Sequence, residues 1–148
     1  MTRVALDSSI LVYAELEPET PKCRRAANLI TRAAADGVIP IQALGAFLRV
    51  VQRRAPFAFA EAVQQVAICE AMFLTPPTTL SVMKTAAEAA LAHQLQLWDS
   101  IICACASHAG ATVQLTEDLQ DGRPLHGLRV VNPFDSMNDA KVSAIFDE

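Results

Sequence analysis

Apolar positions along the chain keep two different rhythms. Val4-Ala5-Leu6, Val38-Ile39-Pro40-Ile41, residues 111–115 and Leu128–Val131 are short, mainly apolar runs closed by Asp7, Gln42, Thr116 and Asn132. Runs of that length, rich in β-branched residues and bounded by polar or turn residues, predict buried strands. Pro40 is tolerable there because it lies near an end.

Between these runs the period lengthens to that of a helix. Residues 10–16 predict a first helix, broken at Glu17-Pro18-Glu19. Thr20 followed by Pro21 is a cap with proline at the first helical position. Cys23, Ala26, Ala27, Ile30 and Ala34 then keep one face apolar over 21–35, until Asp36-Gly37 stops the helix. A third helix from Gln42 carries Leu44, Phe47, Leu48 and Val51 on one face and Arg49 with Arg53 on another. After Ala55-Pro56, residues 59–73 predict a helix with Ala62, Val63, Val66 and Cys69 inward, ended before Pro76-Pro77. Thr79 caps the next, whose Leu80, Met83, Ala87, Ala90 and Leu91 are in helical register. Leu97-Trp98-Asp99-Ser100 opens another, with Ile101, Ile102, Cys105, Ala106 and Ala109 apolar and Gly110 ending it. A loop containing Gly122 and Pro124 leads to the last strand. Residues 1–134 form a single domain in this reading, and 135–148 a short helix or tail, with Ser136 and Asp139 resembling a capping box. Strands alternating with helices predict an α/β fold, a three-layer α/β/α sandwich around a mostly parallel sheet.

Composition narrows the function. With 148 residues, 52% apolar and 19% charged, the chain can bury a core, and general disorder is excluded. No apolar run approaches the roughly 18 residues of a membrane span, and no signal peptide is recognisable, so a cytoplasmic protein is expected. Cys23, Cys69, Cys103 and Cys105 show no C-x-x-C spacing and read as small buried hydrophobes. His93, His108 and His126 have no spaced acidic companion and read as surface or core contacts rather than ligands. A formal net charge of −4 argues against broad attraction to nucleic acid, so any phosphate partner needs local cations. Arg49, Arg53 and Arg54, with Lys22, Arg24 and Arg25, are the candidates. No glycine-rich phosphate loop follows a strand, which weakens a nucleotide-binding reading.

Three acids carry the candidate chemistry. In a parallel strand-helix-strand unit the helix runs back against the sheet, so its N-terminus lies at the strands' carboxyl edge, where open α/β sheets bind ligands. Asp7 ends the first strand, Asp118 follows the strand at 111–115, and Asp99 sits in the first turn of the helix before it. Each has an ordinary alternative, as a cap, a turn acid or a dipole partner. Those alternatives do not explain why all three fall on one edge. Clustered carboxylates favour a divalent cation, and an all-oxygen site suits Mg²⁺ or Mn²⁺. Such an ion beside a crevice is suited to attack on a phosphodiester.

The segments Val4-Ala5-Leu6-Asp7-Ser8-Ser9-Ile10-Leu11, Gln42-Ala43-Leu44-Gly45-Ala46-Phe47-Leu48-Arg49-Val50, Trp98-Asp99-Ser100-Ile101-Ile102 and Leu115-Thr116-Glu117-Asp118 resemble the ordered motifs of PIN-domain proteins, specifically VapC-type toxins of toxin-antitoxin pairs. The resemblance runs from about Val4 to Phe134. It implies a PIN-like fold and a Mg²⁺- or Mn²⁺-dependent endoribonuclease acting on RNA, usually a homodimer, neutralised by a small antitoxin protein. By motif position Asp7, Asp99 and Asp118 would be the catalytic and metal-binding acids, with Ser9 and Thr116 as supporting neighbours. Two positions depart from the pattern: Ala46 stands where the family carries glutamate, and Ser9 where asparagine is common. The missing carboxylate opens an alternative, a PIN domain impaired in catalysis that binds RNA or its antitoxin. Glu15, Glu17 and Glu117 are candidate substitutes for it.

Overall fold

In a computed structural model describing residues 2–147, the sheet order is β1-β2-β4-β3: β1 (Val4–Leu6), β2 (Val113–Leu115), β4 (Leu128–Val131) and β3 (Pro124–Leu125). β1, β2 and β4 are mutually parallel, with Ala5 level with Gln114 and Gln114 with Val130, while β3 pairs antiparallel to β4. The helices from Ser8 to His108 separate β1 from β2, and the stretch carrying β3 separates β2 from β4, connections long enough for parallel pairing.

The segment expected as a strand at 38–41 contributes a parallel bridge at Val38 alone, between Ala5 and Leu74. Pro40 cannot donate to a ladder, and Ile41 already opens a helix. Leu74, with no periodicity of its own, was expected in no strand. It is nonetheless fixed by Ile39 N–H donating to its carbonyl at 2.9 Å and its own N–H donating to Gly37 O at 3.0 Å. Gly37 allows this close approach, since a Cβ there would lie 2.4 Å from Ala33 O and 2.9 Å from Phe73 Cε1.

Among the described residues seven α-helices flank the sheet: α1 (Ser8–Leu16), α2 (Pro21–Ala33), α3 (Ile41–Arg54), α4 (Phe59–Met72), α5 (Leu80–His93), α6 (Leu97–His108) and α7 (Asp139–Phe146). Alternation along the strands sorts them into layers. Val4, Leu6, Val113 and Leu115 pack with Ile10, Leu29, Phe47, Ala62 and Val142 of α1–α4 and α7. Ala5, Val38 and Val130 face Cys103 and Ala106 of α6 on the opposite side, and α5 packs on α6 through Val82 and Ala86 against Ile101, Ala104 and Cys105. The three-layer α/β/α sandwich is therefore the observed fold. No helix among the described residues is long and apolar enough to cross a membrane.

Several local expectations are corrected. α2 ends at Ala33 rather than at 35, because the chain must turn into the sheet; Ala35 adopts a left-handed φ of 81° and donates its N–H to Met72 O. On α5 the buried residues are Val82 and Ala86, while Leu80 and Leu91 are 73% and 85% exposed. The smaller face wins because it lets α5 approach α6 closely, where Ser100 Oγ donates to Ala86 O at 2.8 Å. Val63 of α4 points outward, 48% exposed. The expected loop around Pro124 contains β3, joined to β4 by His126 and Gly127, both at positive φ as a tight hairpin turn requires. Asp135, not Ser136, caps the short turn before α7 by accepting from Met137 N–H.

Candidate active site

β1 ends on Asp7, and the chain turns at once into α1. Asp7 N–H donates to Leu115 O at 3.2 Å, holding the residue level with the end of β2, and its Oδ1 accepts from Ser8 N–H at 2.6 Å. The capping role and the strand-end role thus coexist in one buried side chain, 4% exposed. Its other oxygen, Oδ2, accepts from Thr116 Oγ at 2.6 Å. Thr116 in turn accepts from Asp118 N–H at 3.0 Å. With one proton to give, the hydroxyl must donate to Asp7, and so it sets Asp7 and the Asp118 backbone at one fixed spacing.

Asp118 and Asp7 also share a hydrogen bond between their carboxyls: it holds the Asp118 proton on and favours the ionised form of Asp7. Asp99 enters from the third residue of α6, its N–H donating to Gln96 Oε1 at 2.8 Å. Burial first, then the charge of Asp118, pushes the Asp99 carboxyl up to about 6. Burial first, then the charge of Asp7, pushes Asp118 up to about 6 as well. Burial also raises Asp7, with Asp99 adding to it, against the opposing hydrogen bonds from Thr116 and Ser8. The Cys103 thiol, buried beneath, is raised by burial and then by both Asp7 and Asp99. The structure thus places the three predicted acids at the carboxyl ends of the parallel strands, near enough for Asp99 to act by its charge on Asp7 and Asp118 on Asp99.

Ser9 and Thr116 fare differently. Thr116 is bonded into the cluster, whereas Ser9 Oγ is buried without a hydrogen-bond partner among the described residues. Thr116→Val should cost about 1–3 kcal/mol by leaving Asp7 Oδ2 and Asp118 N–H unpaired, and Thr116→Ser should recover most of it. Thermal melts of the two variants in metal-free buffer check this.

Two clefts open beside the acids. One, of about 390 Å³, is lined by Gln42, Ala46, Arg49, Arg53, Trp98 and Asp99, among others. The other, of about 240 Å³, is lined by Ser9, Tyr13, Arg53, Arg54, Glu117 and Asp118, among others. Arg49, Arg53 and Arg54 are exposed and make no ion pair among the described residues. The other expected phosphate-steering residues are engaged elsewhere. Lys22 pairs with Glu117 at 3.2 Å and lies over the Tyr13 ring, Arg24 donates to Glu19 O, and Arg25 holds Pro133 O and Asp139. Tyr13 O–H also donates to Glu117, so this acid is committed to its neighbours and is no free replacement for a carboxylate at Ala46. Trp98 and Gln96 were assigned no role from sequence; the one available signal was the position of the chain's single tryptophan beside Asp99.

The donor set fits a hard cation by its chemistry, since carboxylates whose charged forms are disfavoured at a crevice gain from a shared positive charge. No group of three His, Cys, Asp or Glu side chains among the described residues is gathered tightly enough to enclose a metal by itself. Mg²⁺ held here would therefore take one or two of these carboxylates, with waters and substrate phosphate oxygens completing its shell.

The sequence matches the PIN domain family over residues 4–120. Similar solved structures include VapC20 of Mycobacterium tuberculosis, described as a sarcin-ricin loop cleaving toxin, at 16% identity over 75% of this chain and 86% of that one, with a TM-score of 0.64. A toxin-antitoxin complex from Klebsiella pneumoniae matches at 17% identity over 88% and 98%, TM-score 0.64. DNA-bound VapBC from Salmonella typhimurium matches at 13% over 90% and 99%, TM-score 0.64. At these identities what is shared is the fold. No curated protein matches the sequence.

Proposed function

The chain belongs to the PIN domain family, and on that premise we propose that it is a divalent-metal-dependent endoribonuclease, the toxin of a toxin-antitoxin pair. One observation carries the reading: at the carboxyl edge of the parallel strands Asp7, Asp99 and Asp118 are all raised, first by burial and then by a neighbouring carboxylate, Asp99 acting on Asp7, Asp118 on Asp99 and Asp7 on Asp118. Asp7, Asp99 and Asp118 would hold Mg²⁺ or Mn²⁺ between them, one or two directly and the rest through the ion's waters. When bound, the ion supplies positive charge to the scissile phosphate and lowers the pKa of water at neutral pH.

The protein's own residues do the rest. Thr116 fixes the rotamer of Asp7 and the position of Asp118. Arg53, which lines both clefts, meets the phosphate backbone of RNA on either side of the acids, with Arg49 and Arg54 extending that contact. A cognate antitoxin protein and a homodimer are the partners this reading takes, and the outward Leu80 and Leu91 of α5 offer apolar surface for a partner. Toxin-antitoxin assembly is in the descriptions of similar folds from Klebsiella pneumoniae and Salmonella typhimurium, which supports it.

A second reading rests on Ala46, which leaves the Asp99 cleft without a further carboxylate. In that reading the protein keeps the fold and binds RNA or antitoxin while cleaving poorly. Incubating metal-depleted protein with mixed RNA, with and without Mn²⁺, tests the first. Cleavage that needs Mn²⁺ and disappears in Asp7→Asn is expected; cleavage undiminished in Asp7→Asn would sink the nuclease assignment.

A further inference from the structure

Trp98 is 45% exposed although it is the largest apolar side chain in the protein, and among the described residues no aromatic ring or cation packs against it. It stands in the wall of the 390 Å³ cleft, next to Asp99 in the first turn of α6. Across the same cleft α3 presents Gly45 and Ala46, the two smallest side chains in its lining, and a Cβ added at Gly45 would meet nothing within 4 Å. Arg49 and Arg53, one helical turn apart, complete that side without an ion-pair partner among the described residues. Gln42 and Gln96 bring amide groups to it; the Gln96 carbonyl is spent on the Asp99 N–H, leaving its –NH₂ to donate.

An exposed aromatic face, a shallow opposite wall, unpaired guanidinium groups and side-chain amides are together what recognition of a single-stranded nucleotide uses: the ring stacks a base, the cations hold its phosphates and the amides reach the base edge. We propose that this cleft is a nucleobase slot in which one unpaired RNA base, flanking the phosphate at the acids, stacks on Trp98 while Arg49 and Arg53 hold the backbone beside it. The unpaired positive charge favours a polyanion over a peptide as the occupant. The choice of RNA rests on the nuclease reading, but the stacking itself requires no catalysis. The slot selects single strands, because a base inside a duplex must first be unpaired and unstacked to reach it.

The protein supplies its own probe, since Trp98 is its only tryptophan. In EDTA, where no cleavage occurs, single-stranded oligo(U) and oligo(A) should quench the fluorescence on titration. An abasic oligonucleotide of equal charge, or an RNA duplex, should leave it nearly unchanged. By anisotropy of a labelled oligonucleotide, Trp98→Ala should weaken binding about 10-fold or more, with Trp98→Phe between, and both should melt near the wild-type temperature. Arg49→Ala and Arg53→Ala should each lower the salt dependence of binding by roughly one counterion. Equal quenching by the abasic strand, or unchanged affinity in Trp98→Ala, would overturn the slot. So would quenching by an antitoxin peptide with none by RNA. Failure of the two ideas separates cleanly: RNA that quenches but is never cut leaves the slot and removes the nuclease, while Trp98→Ala cutting RNA with unchanged kcat/KM does the reverse.

Discussion

Metal-free protein carrying Asp118→Asn is expected to melt about 2–4 °C above the wild type and to lose Mn²⁺-dependent cleavage by about 100-fold or more. The stability gain follows from the direction in which the cluster shifts its members. Asp99 and Asp118 are both pushed up to about 6 from a carboxylate's usual 3.8, chiefly by burial and then by a neighbouring carboxylate, Asp118 acting on Asp99 and Asp7 on Asp118. Both are open enough to water that the full conversion of such shifts overstates the penalty, and about 1 kcal/mol for each is the appropriate scale at neutral pH. Asparagine keeps the shape, removes the charge and can still hydrogen-bond toward Asp7. Asp99→Asn should act the same way, and the double variant should gain less than the two single gains added, because each replacement already relieves the repulsion the other would relieve. A metal-free Asp118→Asn protein melting below the wild type would show that the carboxylates do not repel one another as their surroundings imply.

The same shifts fix the pH dependence. A folded-state pKa raised above the unfolded value means that the native protein holds protons the unfolded chain has released, so stability is greatest below about 4 for these groups and declines as pH rises through about 6. Divalent cation reverses the preference, since binding requires deprotonated carboxylates; its affinity should therefore climb over that interval and level off above it. Melting curves at pH 5 and 7.5, with and without Mn²⁺, should show the cation stabilising only slightly at the lower pH and by several degrees at the higher one.

Much of this was legible in the chain because two simple constraints act over long stretches. Strand alternation and the antiparallel return of a crossover helix are enough to send Asp7, Asp99 and Asp118 to one edge without knowledge of any contact, since each is defined by its place relative to a strand or helix end. What escaped is what depends on partners. α5 offers two faces in helical register, and only the approach of α6 selects Val82 and Ala86 over the larger Leu80 and Leu91. Leu74 pairs through a single bridge, too short to have a period. Lys22 resembled any other surface cation until Tyr13 and Glu117 were seen to hold it. Trp98 lay in plain view beside Asp99, but a tryptophan in an apolar helix is usually core, and only its exposure in a cleft with Arg49 and Arg53 gives it another reading.

Ala46→Glu is expected to increase Mn²⁺-dependent cleavage by about 10-fold or more and to lower the metal-free melting temperature, an opposite pair of effects with one cause. Position 46 lines the same cleft as Asp99, on a helix that begins at the active edge. A fourth carboxylate there joins three whose charged forms are already disfavoured by burial and by neighbouring charge, so the empty site becomes less stable. The loaded site gains a ligand or a group to hold its water, and the melting shift on adding Mn²⁺ should grow accordingly. If the wild type cleaves well and Ala46→Glu changes neither rate nor metal-induced shift, the three acids suffice and the impaired reading falls. A silent wild type with an active variant identifies a nuclease limited by this one side chain. The substitution also places a long acidic chain in the slot beside Trp98, so RNA affinity in EDTA should fall even as the rate per bound complex rises. Measuring kcat and KM separately distinguishes that outcome from a simple repair of the metal site, which would raise kcat and leave binding untouched.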